Sequence, residues 1–257
     1  MNEKVDILGV KISRENWNEV LGRVEEMEGD NLQHYIVTPN PEFVMAAQQD
    51  DEFTNILNEA DLAVADGIGL IWAAKLLYGS RGKLSRVNGV DLMQKICFLA
   101  SKNNWSIFLL GAEVGVAEKC AENLQNKWPL LKVVGTLAGR EGEEYDQETI
   151  KQIREKISNR KVDFIFVAYG GIKQEKWIKR NLSKLPIRIA MGVGGSFDFI
   201  SGRVKRAPHW IRKIGLEWSW RLIKEPWRWR RQLVLPKFVL VVLKKKLLLF
   251  FLNTQQP

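Results

Sequence analysis

The chain has 257 residues, 46% hydrophobic and 27% charged, a balance that fits one large globular domain with or without an appendage and excludes a disordered chain. No run reaches the roughly 20 uninterrupted apolar residues of a membrane-spanning helix, and the first six residues lack the apolar core of a signal peptide, so a cytoplasmic location is expected. Two cysteines (Cys97, Cys120) and two histidines (His34, His209) exclude a disulfide framework, a cysteine-based zinc site and a two-histidine zinc motif.

The first 200 residues alternate short β-rich runs with helical patterns, the signature of a mostly parallel α/β sheet, Rossmann-like in the broad sense. Val5 to Val10 reads as a strand and Arg14 to Met27 as a helix. His34 to Val37 is a strand closed by Thr38-Pro39-Asn40-Pro41, and helices follow over Glu42 to Gln49 and Asp51 to Asn58. Leu62 to Ala65 is a short strand running into Asp66-Gly67-Ile68-Gly69 and another helix. Asp91 to Ser101 is helical, Ser106 to Leu110 a strand, Val114 to Asn126 a helix and Lys132 to Gly135 a strand. Gln147 to Ser158 is helical, Asp163 to Ala168 a buried strand, Lys173 to Lys179 a helix and Ile187 to Met191 the last strand. Strand order is not readable from the pattern.

Ligands of such sheets bind beyond the carboxyl ends of the strands, where loops and helix N-termini gather and favour anions. Five candidate loops follow: Thr38 to Asn40, Asp66-Gly67, Gly111-Ala112, Gly170-Gly171 and Gly192 to Ser196, the last containing Gly194 and Gly195. A GxGxxG turn opening a first βαβ unit is absent, which makes dinucleotide binding the weaker option. Asp66 admits two readings, a general base at a strand end or an N-cap. Thr38 and Asn40 suit sugar hydroxyls or a proline-set Asx turn. Arg86, just ahead of Asn88 and a helix, suits a diphosphate or plain solvation. Gln174, Glu175 and Lys176 suit a nucleotide or an exposed charged face.

The net charge of +9 is concentrated at one end. Residues 203–257 hold fourteen Lys or Arg against Glu217 and Glu225, a balance of +12, while residues 1–202 balance to −3. Five of the ten tryptophans lie in the same tail. The pattern divides the chain into an α/β domain, 1–202, and a basic aromatic membrane-docking appendage, 203–257. Arg221, Lys224, Arg228 and Arg231 recur at helical spacing and are expected to share one helical face. Two six-residue apolar runs, Phe238 to Leu243 and Leu247 to Leu252, flank Lys244-Lys245-Lys246; each is too short to span a bilayer and long enough to dip into a leaflet. Trp and Arg suit a lipid interface, and the aliphatic runs favour an anionic membrane surface over nucleic acid. Apolar surface beneath a detachable tail leaves a homo-oligomer open.

Taken in order, Thr38-Pro39-Asn40-Pro41-Glu42, Ala65-Asp66-Gly67, Arg86-Val87-Asn88-Gly89-Val90-Asp91, Leu110-Gly111-Ala112, Lys173-Gln174-Glu175-Lys176-Trp177, Gly192 to Asp198, Arg206-Ala207-Pro208 and Glu217-Trp218 form a set. Over about Val5 to Lys237 the sequence resembles the WecG/TagA/CpsF family of bacterial glycosyltransferases. The resemblance implies transfer of a sugar from a UDP-sugar donor to an undecaprenyl-diphosphate-linked sugar on the inner face of the plasma membrane. In the teichoic-acid branch, which it looks most like, N-acetylmannosamine is joined β-1,4 to N-acetylglucosamine with inversion. It further implies Asp66 as the base, Thr38 and Asn40 in the same pocket, and Arg86 and Gln174 on donor or acceptor.

Neither a metal nor a cofactor is expected: Asp-X-Asp is absent, and Arg221, Arg228 and Arg231 are the candidates for stabilising the departing UDP. Two departures stand out. The residues beyond about Phe238 extend past the expected family pattern, and Gly139-Arg140-Glu141-Gly142 stands where many relatives carry an aromatic residue. Another UDP-sugar donor, or a non-catalytic nucleotide-binding module, are the alternatives.

Overall fold

The computed structural model describes residues 4–226 and 229–254, with side chains through Phe251. The segment expected as one strand over Val5 to Val10 is a hairpin. β1 (Val5–Ile7) pairs antiparallel with β2 (Val10–Ile12), and Leu8 and Gly9 turn between them at φ 53° and 88°. That positive-φ pair is the turn geometry that a two-residue hairpin favours, and Leu at its first position conceals it from sequence. α1 (Trp17–Gly29) starts three residues later than expected because Asn16 and Glu19 form a capping box.

The remaining strands form one six-stranded parallel sheet in the order β4-β3-β8-β7-β5-β6. They are β3 (His34–Val37), β4 (Leu62–Ala63), β5 (Ser106–Gly111), β6 (Lys132–Leu137), β7 (Val162–Ala168) and β8 (Ile187–Gly192). Between them run α2 (Pro41–Ala47), α3 (Asp51–Glu59), α4 (Ile68–Tyr78), α5 (Gly89–Asn103), α6 (Val116–Lys127), α7 (Asp146–Lys156) and α8 (Gly171–Asn181), and α9 (Ser196–Ser201) follows the last strand.

Side chains alternate across each strand, so a continuous apolar run feeds both faces of the sheet. In β7, Phe164 and Phe166 join Val24, Ile96, Ala117 and Phe197 under α1, α5, α6 and α9. Ile165 and Val167 turn the other way, toward Phe53, Leu70, Ile153 and Trp177 of α3, α4, α7 and α8. Phe164 and Phe166 are fully buried, each stabilising the fold by about 1.5–3 kcal/mol. A mostly parallel α/β sheet covered by helices is what the alternating pattern called for.

The tail forms α10 (His209–Lys213), α11 (Glu217–Lys224), α12 (Trp229–Gln232) and α13 (Val234–Thr254). The single helical face expected for Arg221 through Arg231 does not form: α11 ends at Lys224, with Glu225 at φ −128° and ψ 71°. Pro226 is the cause, because its ring keeps the preceding residue out of helical geometry. The triple lysine, in contrast, interrupts nothing, and both apolar runs lie on the continuous α13. Phe238 and Val242 are fully buried in the body's core beside residues of α2 and α4, so the first run is only partly available to lipid.

Candidate active site

Three backbone contacts place Asp66. The chain past β4 continues beside β3, with Val64 N donating to Val37 O and Asp66 N to Pro39 O; on its other side Val87 N donates to Ala65 O. Asp66 is thereby set between the Thr38–Asn40 loop and the Arg86–Asn88 loop. The N-cap reading fails here. Gly67 caps α4 without any side-chain bond, and the Asp66 carboxylate turns instead to the N-terminus of α5. It accepts from Asn88 Nδ2 at 3.0 Å and from the Gly89 N–H. Burial, then the neighbouring Glu217 carboxylate, push its pKa up to about 7, against the pull of Gly89, Arg206 and Arg86.

Asp66 lines a cavity of about 570 Å³ over the carboxyl ends of β3, β4 and β8. Thr38, Asn40, Arg86, Asn88, Gln174, Gly194, Gly195, Arg221 and Arg231 line it as well. Asn40 also accepts from Phe43 N at 3.0 Å, capping α2, which leaves its NH2 end for a ligand. Arg86 donates to the Arg212 carbonyl at 2.7 Å, tying the cavity wall to the tail. Arg221 packs 5.0 Å from the Phe199 ring centroid and pairs with Glu225 at 2.7 Å; a Cβ on Gly195 would lie 2.7 Å from its guanidinium, so the bare Gly195 backbone lets the guanidinium lie close against it. Arg231 pairs with Glu42. Ile68 and Trp72 of α4 with Leu235, Phe238 and Val239 of α13 make one side apolar. The arrangement brings a buried carboxylate of near-neutral pKa, several guanidiniums and an apolar wall to one cavity.

The glycosyl transferase WecG/TagA/CpsF family matches residues 5–250. The chain belongs to that family. An N-acetylglucosaminyldiphosphoundecaprenol N-acetyl-beta-D-mannosaminyltransferase of Bacillus subtilis (strain 168) is 36% identical over 212 residues, 82% of this chain and 79% of the relative. A protein of the same name from Staphylococcus aureus (strain MRSA252) is 32% identical over 248 residues, 95% and 93% of the two chains. The family match continues through most of α13, past the end expected near Phe238.

One sequence-derived site residue of this glycosyltransferase does not line the cavity, and another falls outside the described residues. Gly111 sits at φ 104° with its Cβ position 2.7 Å from the Ala168 backbone and does not line the cavity. It is glycine so that β5 and β7 can close on one another, and its spacing within a glycine-ended strand cannot distinguish that from ligand contact. Arg228 lies outside the described residues. Over the Gly139 turn stands Tyr169, whose hydroxyl occupies the position a Cβ of Gly139 would take.

The exposed-face reading of Gln174 and Glu175 is also overturned, since both are buried. Gln174 accepts from Gly194 N at 2.9 Å and donates to Glu175 Oε1 at 2.8 Å. Burial pushes Glu175 up to about 8. Sequence reasoning missed Arg206 and Glu217 as site residues although their motifs were in view. Nothing local marks them, because each acts on residues more than a hundred positions away.

Proposed function

We propose that this glycosyltransferase moves N-acetylmannosamine from UDP-N-acetylmannosamine to undecaprenyl-diphosphate-linked N-acetylglucosamine, giving the β-1,4 disaccharide lipid of the kind wall teichoic acid is built on. Asp66 carries the reading: a carboxylate at the cavity floor, with a proton affinity near neutrality, suits proton removal at cellular pH. An Asp66 oxygen takes the proton of the acceptor hydroxyl as the hydroxyl oxygen bonds the anomeric carbon from the face opposite UDP. The anomeric C–O bond breaks and its electron pair leaves on the β-phosphate. One displacement inverts an α-linked donor into a β-linked product.

Arg221 and Arg231, with Arg228 as a third candidate, are proposed to stabilise the charge developing on UDP. Arg86 and Gln174 are proposed to contact donor or acceptor, and Thr38, Asn40 and Asn88 to contact sugar. The backbone of Gly194 and Gly195 lines the donor side. The apolar wall between α4 and α13 suits the first isoprenes of the acceptor. Fourteen of the twenty-one exposed large hydrophobic side chains among the described residues follow residue 203, beside the lysines of α13. That surface suits docking on an anionic leaflet, where each engaged Lys or Arg contributes on the order of 1 kcal/mol. Residues 203–257 are thus read as the docking appendage of the 1–202 domain, holding the enzyme peripherally on the inner face of the membrane.

The test is to incubate purified full-length protein with a short-chain lipid-diphosphate N-acetylglucosamine and UDP-N-acetylmannosamine and weigh the lipid product. Disaccharide-lipid and UDP in equal amounts are expected. Product from another UDP-hexose or aminouronic donor, with none from UDP-N-acetylmannosamine, would overturn the assignment of the sugar.

A further inference from the structure

Asn88 is fixed in one orientation by four partners. Its Oδ1 accepts from Val90 N at 3.0 Å and from Arg206 Nη2 at 3.1 Å. Two donors on that side leave Nδ2 to face acceptors, and it lies 3.0 Å from Asp66 Oδ1 and 3.4 Å from Glu217 Oε2. One NH2 group therefore spans two carboxylates that come from opposite ends of the chain. Glu217 is not there by its own preference, since like charges repel. Arg206 holds it, with Nε donating to Glu217 Oε1 at 2.8 Å, while its two Nη atoms clamp Asp91 of α5 at 2.5 and 2.9 Å. Arg206 is 16% exposed and Glu217 22%, so the cluster is poorly screened.

We propose that Glu217 is a positioning residue for the transfer reaction, acting on Asp66 through Asn88 and only while the tail is docked. The proposal rests on the reading of Asp66 as base. Arg206 anchors the tail to α5 and spends its charge largely on Asp91, so what the tail presents to Asp66 is mainly the negative charge of Glu217. A nearby negative charge raises the proton affinity of a carboxylate, and a base tuned toward the working pH removes a proton more effectively than an ordinary aspartate. Docking therefore does more than bring arginines to the donor: it strengthens the base on the acceptor side. Without Glu217, Asp66 keeps Asn88, the Gly89 N–H and Arg86, all from the body, and its proton affinity falls.

The hydrogen-bonding and cationic partners of Asp66 pull the other way and do not replace this effect. The α5 entry contributes Arg86 and the Gly89 N–H, both of which lower its proton affinity. Arg212, Arg221 and Arg231 from the tail and Glu42 from α2 line the cavity.

The experiment compares full-length wild type with Glu217→Gln and Glu217→Asp, reading the carboxyl carbon of Asp66 by NMR across pH. The resonance is assigned by its loss in Asp66→Asn. Glu217→Gln should lower the Asp66 midpoint by about one pH unit, and Glu217→Asp, which keeps the charge, should hold it near the wild-type value. The acid limb of kcat/KM for transfer should move by the same amount. An unchanged midpoint in folded Glu217→Gln, with at most a uniform loss of rate at every pH, would overturn the proposal. The NMR midpoint needs no turnover, so it stays separate from the transfer reading, which fails only if wild type makes no glycolipid from any UDP-sugar.

Discussion

Arg231 of α12 and Glu42 of α2 close on each other across 189 residues of chain, at the wall of the same cavity. Glu42 directly follows the Thr-Pro-Asn-Pro loop, and Glu225 does the same for Arg221 on the facing side. Two arginines proposed to meet a diphosphate are thus each paired through Nε with a carboxylate that offsets part of their charge. The carboxylates hold the guanidiniums in the cavity and reduce their attraction for donor.

Glu42→Gln should therefore tighten UDP binding. A partly exposed pair is worth at most about 1 kcal/mol, so the dissociation constant should fall roughly two- to five-fold. Titration calorimetry with UDP checks it, and weaker binding would show that Glu42 positions Arg231 rather than competing for it.

Stability should respond to pH through Glu175. Its folded pKa, about 8, lies above the 4.5 of the free side chain, so the folded state keeps a proton that the unfolded chain releases. Where the folded state binds more protons, stability falls as pH rises, here between about 4.5 and 8. Asp66 adds a fall in the same direction below about 7. His34 works the same way. Burial lowers its pKa, but the hydrogen bonds to Asp30 and Asp61 outweigh that and raise it above 6.5, so its contribution is full at low pH and fades as pH climbs through the folded value. Glu175→Gln keeps an acceptor for Gln174 and removes one of the three effects. Its Tm should exceed wild type at pH 8 by several degrees, on the order of 1–3 kcal/mol, and match it near pH 4. An equal change at both pH values, followed by calorimetry, would contradict the account.

Removing residues 203–257 should abolish both vesicle binding and transfer to the lipid acceptor. The deletion takes away Arg206 and Glu217, three of the cavity-lining arginines (Arg212, Arg221 and Arg231), and the α13 side chains Phe238 and Val242 that are buried in the body's core. Co-sedimentation with anionic vesicles and product analysis decide it. Full activity of the truncated protein on lipid acceptor would overturn the role given to the tail.

The α/β body was legible because its strands are apolar runs such as Asp163 to Ala168, and its loops end in Gly, Asn or Pro. Strand order was not, since nothing local tells β8 to enter between β3 and β7. Asp66 and Asn88 were visible as motif residues, but their mutual contact depends on Ala65 pairing with Arg86. Glu175 read as part of a charged surface run because a helix start full of Lys and Glu usually is one; only the close approach of Gly192 to the Gln174–Glu175 pair reveals it as interior. The helical spacing of Arg221 through Arg231 misled for a local reason, Pro226, which stood in plain view between them.

Asp66 is the point on which the account turns, and a single-turnover assay reaches it most directly. Wild type and Asp66→Asn would be mixed with UDP-N-acetylmannosamine and the short-chain lipid acceptor in EDTA, with UDP affinity measured alongside. Wild type should form the disaccharide-lipid, and the variant should be slower by about 10²–10⁴-fold with UDP affinity unchanged. Comparable rates for the two proteins, or product only after magnesium is added, would contradict it.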